Sequence, residues 1–136
     1  MALNTQLAFN TADVANNAIA PLLNSGFLDI YDGAQPANAD TAVGAQVKLA
    51  RLTFGATAFG ASASGVITAN AITAGTILAT STASWCRLWK SDGTTAVMDG
   101  TVGTAGTNVV VGSVAFQINA QATITSATFT TPRQGA

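Results

Sequence analysis

The chain is 136 residues long, enough for one domain that buries roughly 68% of its unfolded surface, and 49% of it is hydrophobic while only 8% is charged, with a net charge of −1. Five cations against six carboxylates provide no cationic stripe for nucleic acid, and the apolar runs are far shorter than the ~18 residues that span a bilayer. Met1–Thr5 lacks the basic start of a signal peptide, so the protein is expected to be made in a cytosol and kept there or carried out as part of a particle.

Residues 1 to 10 read as an extended arm, with Leu3, Leu7 and Phe9 spaced among polar residues. Thr11 then offers an N-cap and Asp13 a first-turn carboxylate for the positive end of a helix. Val14, Ala18, Ile19, Leu22 and Leu23 make an apolar stripe at helical spacing over about 12 to 23, tightened near Pro21. Asn24-Ser25-Gly26 is the expected stop, with glycine where a left-handed residue is wanted.

Phe27-Leu28-Asp29-Ile30-Tyr31 alternates strictly and ends on Asp32-Gly33. Ala34 to Ala45 reads as a loop. Gln46 to Phe54 is the next strand, and Asp29 is placed to pair with Arg51 or Arg87 across a sheet. From Gly55 to Ser84 the chain is simple in composition, with Val66–Thr68 and Thr76–Leu78 as short strand candidates.

Ala83 to Lys90 carries both tryptophans and the single cysteine, and Asp92-Gly93 is expected to turn it, in two residues, into a second strand ending near Gly100. Trp85, Arg87 and Trp89 fall on one face of this strand, and Ser84, Cys86, Leu88 and Lys90 on the other. Gly100 to Thr107 reads as a glycine-rich connection. Asn108–Ile118 and Gln121–Thr130 then form a last strand pair around Asn119-Ala120, before the tail at 132–136.

The expected fold is mainly β: a β-sandwich or jelly roll of about eight strands over 25–131, preceded by an arm and one short helix in 1–24. Low charge on so apolar a chain leaves it poorly equipped for life alone in solution, and burial in an assembly is the natural remedy.

Chemistry is scarce. There is no histidine and no glutamate, hence no imidazole base or ligand. Asp13 is accounted for by a helix start, and Asp32, Asp92 and Asp99 by turns before glycine. One cysteine permits no internal disulfide and reads as a small buried hydrophobe. No nucleotide, hydrolase or metal motif is present, so no enzyme, metal or cofactor is expected. Tyr31, Trp85 and Trp89 would make a sugar-stacking platform only if exposed together; on central strands they read as core or contact aromatics.

Several pieces resemble small virion proteins encoded among the structural genes of tailed bacteriophages and prophages. They are 18–26 (AIAPLLNSG), 28–36 (LDIYDGAQP), 49–54 (LARLTF), Ala83-Ser84-Trp85 with 90–95 (KSDGTT), 97–103 (VMDGTVG) and Ile124-Thr125-Ser126. The resemblance implies a non-enzymatic, β-rich capsid decoration or cement protein on the capsid exterior. The implied partners are the major capsid protein and copies of itself, as a homotrimer. The residues expected at subunit or capsid contacts are Leu3, Leu7, Phe9, Arg51, Trp85, Arg87 and Trp89. A tail or head-to-tail component, or a carbohydrate-binding module on the virion, remain as other readings.

Overall fold

The computed structural model describes residues 8–130. Its helix, α1 (Phe9–Ile19), continues into a 3-10 turn (Ala20–Leu23). Twelve strands follow: β1 (Phe27–Tyr31), β2 (Lys48–Phe54), β3 (Val66–Thr68), β4 (Ile72–Thr73), β5 (Gly75–Thr76), β6 (Ser81–Thr82), β7 (Trp85–Trp89), β8 (Ala96–Gly103), β9 (Val109–Val110), β10 (Ala115–Phe116), β11 (Gln121–Ala122) and β12 (Ser126–Thr130).

Eight of these form one curled sheet in the order β3-β12-β9-β8-β7-β1-β2-β4, and β6 with β10 and β5 with β11 make two small ribbons. The protein is therefore mainly β and sandwich-like, as its alternation and turn spacing predict. All strand pairs are antiparallel except β8 with β9.

The core lies on the sheet face carrying Leu28, Ile30, Leu52, Cys86 and Leu88, each with no solvent exposure. It is continuous with Leu23 from the helical segment, Ile67, Val109 and Phe116. Phe59 closes one end, lying 5.5 Å from Phe54 and edge-on to Phe129 at 5.9 Å.

Several sequence expectations shift. The helix starts at Phe9, not near Thr11, and Ala8 precedes it without a side-chain cap. Asp13 lies beyond the first turn and serves a loop instead: it accepts from the Ser62 hydroxyl at 2.7 Å and the Gly65 N–H at 2.8 Å. The buried helix face runs through Ala12, Asn16, Ala20 and Leu23, so the predicted stripe is rotated and Val14 is exposed.

At the helix stop the left-handed residue is Ser25, with φ 57°. Gly26 is needed for room: a Cβ there would lie 2.2 Å from the Trp89 carbonyl oxygen. Gly75 is in the same position against the Arg51 carbonyl oxygen, also 2.2 Å.

The loop between β7 and β8 spans six residues rather than two, closed by Lys90 N–H to Thr95 carbonyl and Gly93 N–H to Lys90 carbonyl. β8 runs on to Gly103, through what reads as a glycine connection. The predicted final hairpin forms only at its open end. Its first half divides into β9 and β10 and its second into β11 and β12; β9 pairs antiparallel with β12, Val109 opposite Ala127 and Val110 opposite Ser126, while β10 and β11 pair instead with β6 and β5. Gly112-Ser113 and Thr123–Thr125 interrupt the β-formers before one long ladder can build. Of Thr76–Leu78 only Thr76 belongs to a strand.

Candidate functional site

Cross-strand register gathers four charged side chains onto the second face of the sheet. Asp29 on β1 stands opposite Arg51 on β2 and Arg87 on β7, and Arg87 stands opposite Asp99 on β8. The result is a row of alternating sign, Asp99–Arg87–Asp29–Arg51, across four strands. Opposite charges directly across from each other favour this register over its neighbours.

Arg51 donates from Nε and Nη2 to the two Asp29 oxygens at 2.7 and 2.9 Å, and Lys48 Nζ adds a contact at 3.3 Å. Asp29 is fully buried. Lys48 reaches it because the ladder slips by one residue at Ile30/Tyr31, which turns Lys48 to the same face as Arg51. Arg87 grips Asp99 in the same two-pronged way, Nε to Oδ1 at 2.7 Å and Nη2 to Oδ2 at 2.9 Å. Bonding to these carboxylates pushes the pKa of both guanidiniums up.

A strap formed by residues 32–46 lies over the centre of this row. Arg87 Nη1 donates to the Thr41 carbonyl at 2.7 Å, Trp85 Nε1 to the Asp32 carbonyl at 3.0 Å, and the Ser84 hydroxyl to the Gly33 carbonyl. Asp32 pins the strap's ends by accepting from the Val47 N–H at 2.6 Å and the Ser81 hydroxyl at 2.9 Å. Beside the strap a shallow hollow of about 650 Å³ is lined by small residues, among them Gly33, Ala34, Ala42, Ala45 and Thr82. Tyr31 and Trp85 stack nearby, with centroids 4.5 Å apart. Burial, followed by the Asp29 charge, raises the Tyr31 hydroxyl to about 12.

The residues expected at contacts are thus divided. Trp85 and Arg87 are 1% and 2% exposed, covered by the chain's own strap. Arg51 and Trp89 sit at the margin, partly accessible; the Arg51 guanidinium lies 4.7 Å from the Phe27 ring centre, and Arg87 lies 5.9 Å from that of Trp89. Leu3 and Leu7 fall outside the described residues, and Phe9 is the first residue of α1. With Tyr31 and Trp85 both buried, the three aromatics offer no shared stacking platform for a sugar.

Asp99 is the partner that sequence reasoning misplaced, by assigning it to a turn before Gly100. Arg87 and Asp99 each lie six residues from Gly93, and folding the hairpin there sets them opposite one another. That symmetry was available in the sequence. The carbonyls of the strap were not, since any residue could supply them.

Chemically the row is closed. Each carboxylate is occupied by a guanidinium, Cys86 is fully buried with its thiol pKa pushed up by that burial, and no three metal-ligating side chains gather among the described residues. The arrangement orders four strands and ties down one loop. No family model, curated protein or solved structure matches the chain.

Proposed function

We propose that this chain is a non-enzymatic virion structural protein that decorates a tailed-phage capsid and stabilises it by binding across capsomer junctions. One observation carries the reading. Of the ten charged side chains among the described residues, eight are engaged in hydrogen bonds or ion pairs within the chain: Asp13, Asp29, Asp32, Asp92, Asp99, Lys48, Arg51 and Arg87. The remaining surface is largely Thr, Ser, Asn, Gln and Ala, with few ions to hold apolar patches apart from those of a neighbour.

A surface of this kind suits permanent coverage by other subunits, and the phage-like pieces, Ile30-Tyr31-Asp32-Gly33 and Ser91-Asp92-Gly93-Thr94-Thr95 above all, direct the choice to a virion. A cement protein adds buried area where a thin shell is weakest, which needs adhesive surface and no catalysis. The two edge strands, β3 and β4, are three and two residues long and offer little template for an added strand. Side-chain contacts therefore carry more of the proposed binding than backbone pairing.

The experiment is reconstitution. Purified protein is added to phage heads that lack it and the particles are imaged. Regular occupancy over the head lattice, together with heads that withstand higher temperature, is the expected result. Density confined to a ring or tube at the tail assigns the chain there instead, and absence from every particle removes the virion reading.

A further inference from the structure

The outward face of α1 is the surface whose chemistry neither the core nor the ion row absorbs. Polar side chains hold this helix down. Besides Asp13, Asn16 Nδ2 donates to the Gly65 carbonyl at 2.8 Å, and the Asn17 side-chain Oδ1 accepts from the Ser62 N–H at 2.9 Å. The inward face is otherwise small, Ala12 and Ala20, until Leu23.

The larger apolar groups point the other way. Val14 is 70% exposed and Leu22 44%, and Ala18, four residues from each, is exposed between them. A surface helix of a self-sufficient domain has the opposite arrangement, apolar inward and polar outward.

This face also carries no charge. Asn10, Thr11, Val14, Ala18, Pro21 and Leu22 are neutral, and the one acid of the helix is tied to the 62–65 loop. Neither Lys nor Arg occurs in the helical segment, which removes the usual attraction to an anionic membrane surface. A matching partner must itself be uncharged, because a charge pressed against Val14 or Leu22 would lose its water without gaining a counter-ion. This chain's own exterior, drawn from a sequence only 8% charged and with eight of its ten described charges already engaged within the chain, meets that requirement.

We propose that the outer face of α1, along Val14, Ala18 and Leu22, is a self-association surface that seats against a second copy of this chain. This inference rests on the assembly half of the proposed function and is independent of any capsid.

The test uses the full-length chain in sedimentation velocity over a wide concentration range, with Val14→Asp, Leu22→Asp and, as comparison, Ile118→Asp, whose site is 53% exposed outside the helix. Wild type is expected to associate, Val14→Asp and Leu22→Asp each to weaken association about tenfold or more, and Ile118→Asp to match wild type. Circular dichroism and tryptophan fluorescence verify folding. If either aspartate variant misfolds, Val14→Ser and Leu22→Ser replace it, with the same direction expected. A wild type that stays monomeric, helix variants that associate normally, or an Ile118→Asp variant as impaired as they are would each overturn the proposal. Self-association without binding to heads sustains this inference and defeats the capsid reading; a monomer that coats heads does the reverse.

Discussion

Arg87 and Asp99, six residues either side of Gly93, face each other across β7 and β8 and are joined by two parallel hydrogen bonds of 2.7 and 2.9 Å, with side chains only 3% and 5% exposed. The same guanidinium reaches the Thr41 carbonyl. One side chain thus couples the central hairpin to the strap.

Breaking this pair on one side leaves the other charge buried without a partner. Arg87→Ala and Asp99→Ala are each expected to cost about 3–5 kcal/mol in urea unfolding, whereas joint replacement by apolar residues of similar volume recovers much of the loss. Arg87→Lys restores the charge but not the fork and the strap contact, so it remains well below wild type. Equal midpoints for Arg87→Lys and wild type would show that the fork geometry is irrelevant.

Tyr31 is the only tyrosine, so its ionisation can be followed directly by near-ultraviolet absorbance. Its pKa rises from 10.0 to about 12 on folding, so the folded state resists the phenolate. The associated stability is complete below pH 10 and is lost as pH climbs from 10 toward 12. Tyr31→Phe keeps the stack on Trp85 and is expected to flatten the fall in melting temperature over that window. Identical alkaline profiles for the two proteins would contradict the assignment.

Asp92 behaves in the opposite sense. The Thr95 hydroxyl, then the Thr94 and Thr95 N–H groups, hold its carboxyl down at about 2 from 3.8. Its contribution is present above pH 4 and disappears as pH drops from 4 to 2. Asp92→Asn retains an acceptor for the turn without the charge, so its melting temperature should converge on that of wild type through this acid window. A gap of constant size down to pH 2 would refute this.

Gly26 sets the junction between the helical segment and the sheet. A methyl group there meets the Trp89 carbonyl oxygen at 2.2 Å and the Leu23 carbonyl oxygen at 2.9 Å. Both are backbone atoms, so relief requires the chain itself to move. Gly26→Ala is expected to cost about 1–3 kcal/mol in denaturant unfolding. Gly55→Ala, with nothing within 4 Å of its added carbon, serves as the tolerant comparison.

The strictly alternating segment Phe27–Tyr31 is a strand in both readings, because its alternation leaves one face to bury Leu28 and Ile30 and one to present Asp29. Helical periodicity located α1 but not its rotation. Val14 is the better hydrophobe, yet the 62–65 loop offers Asp13, Asn16 and Asn17 hydrogen-bonding partners, and those bonds turn the small face inward. Local preference correctly identified β-formers between 109 and 130 and the antiparallel meeting of β9 with β12, but not the partners of β10 and β11, since those pairings depend on strands far away in the chain.

Composition and pattern alone determined that this chain is mainly β and poor in charge, with Asp29 able to meet Arg51 or Arg87. These follow from side-chain identity and from a repeat of two, properties that a sequence carries locally. Only the tertiary structure decided which carboxylate each arginine grips, that a strap covers Trp85, and which way the helix faces. Those outcomes depend on backbone groups and on segments brought together from far apart in the chain, 46 residues in the Arg87–Thr41 bond and 52 in the Asp13–Gly65 bond. A carbonyl is the same in every residue, so nothing in the string of letters marks the one that will be used.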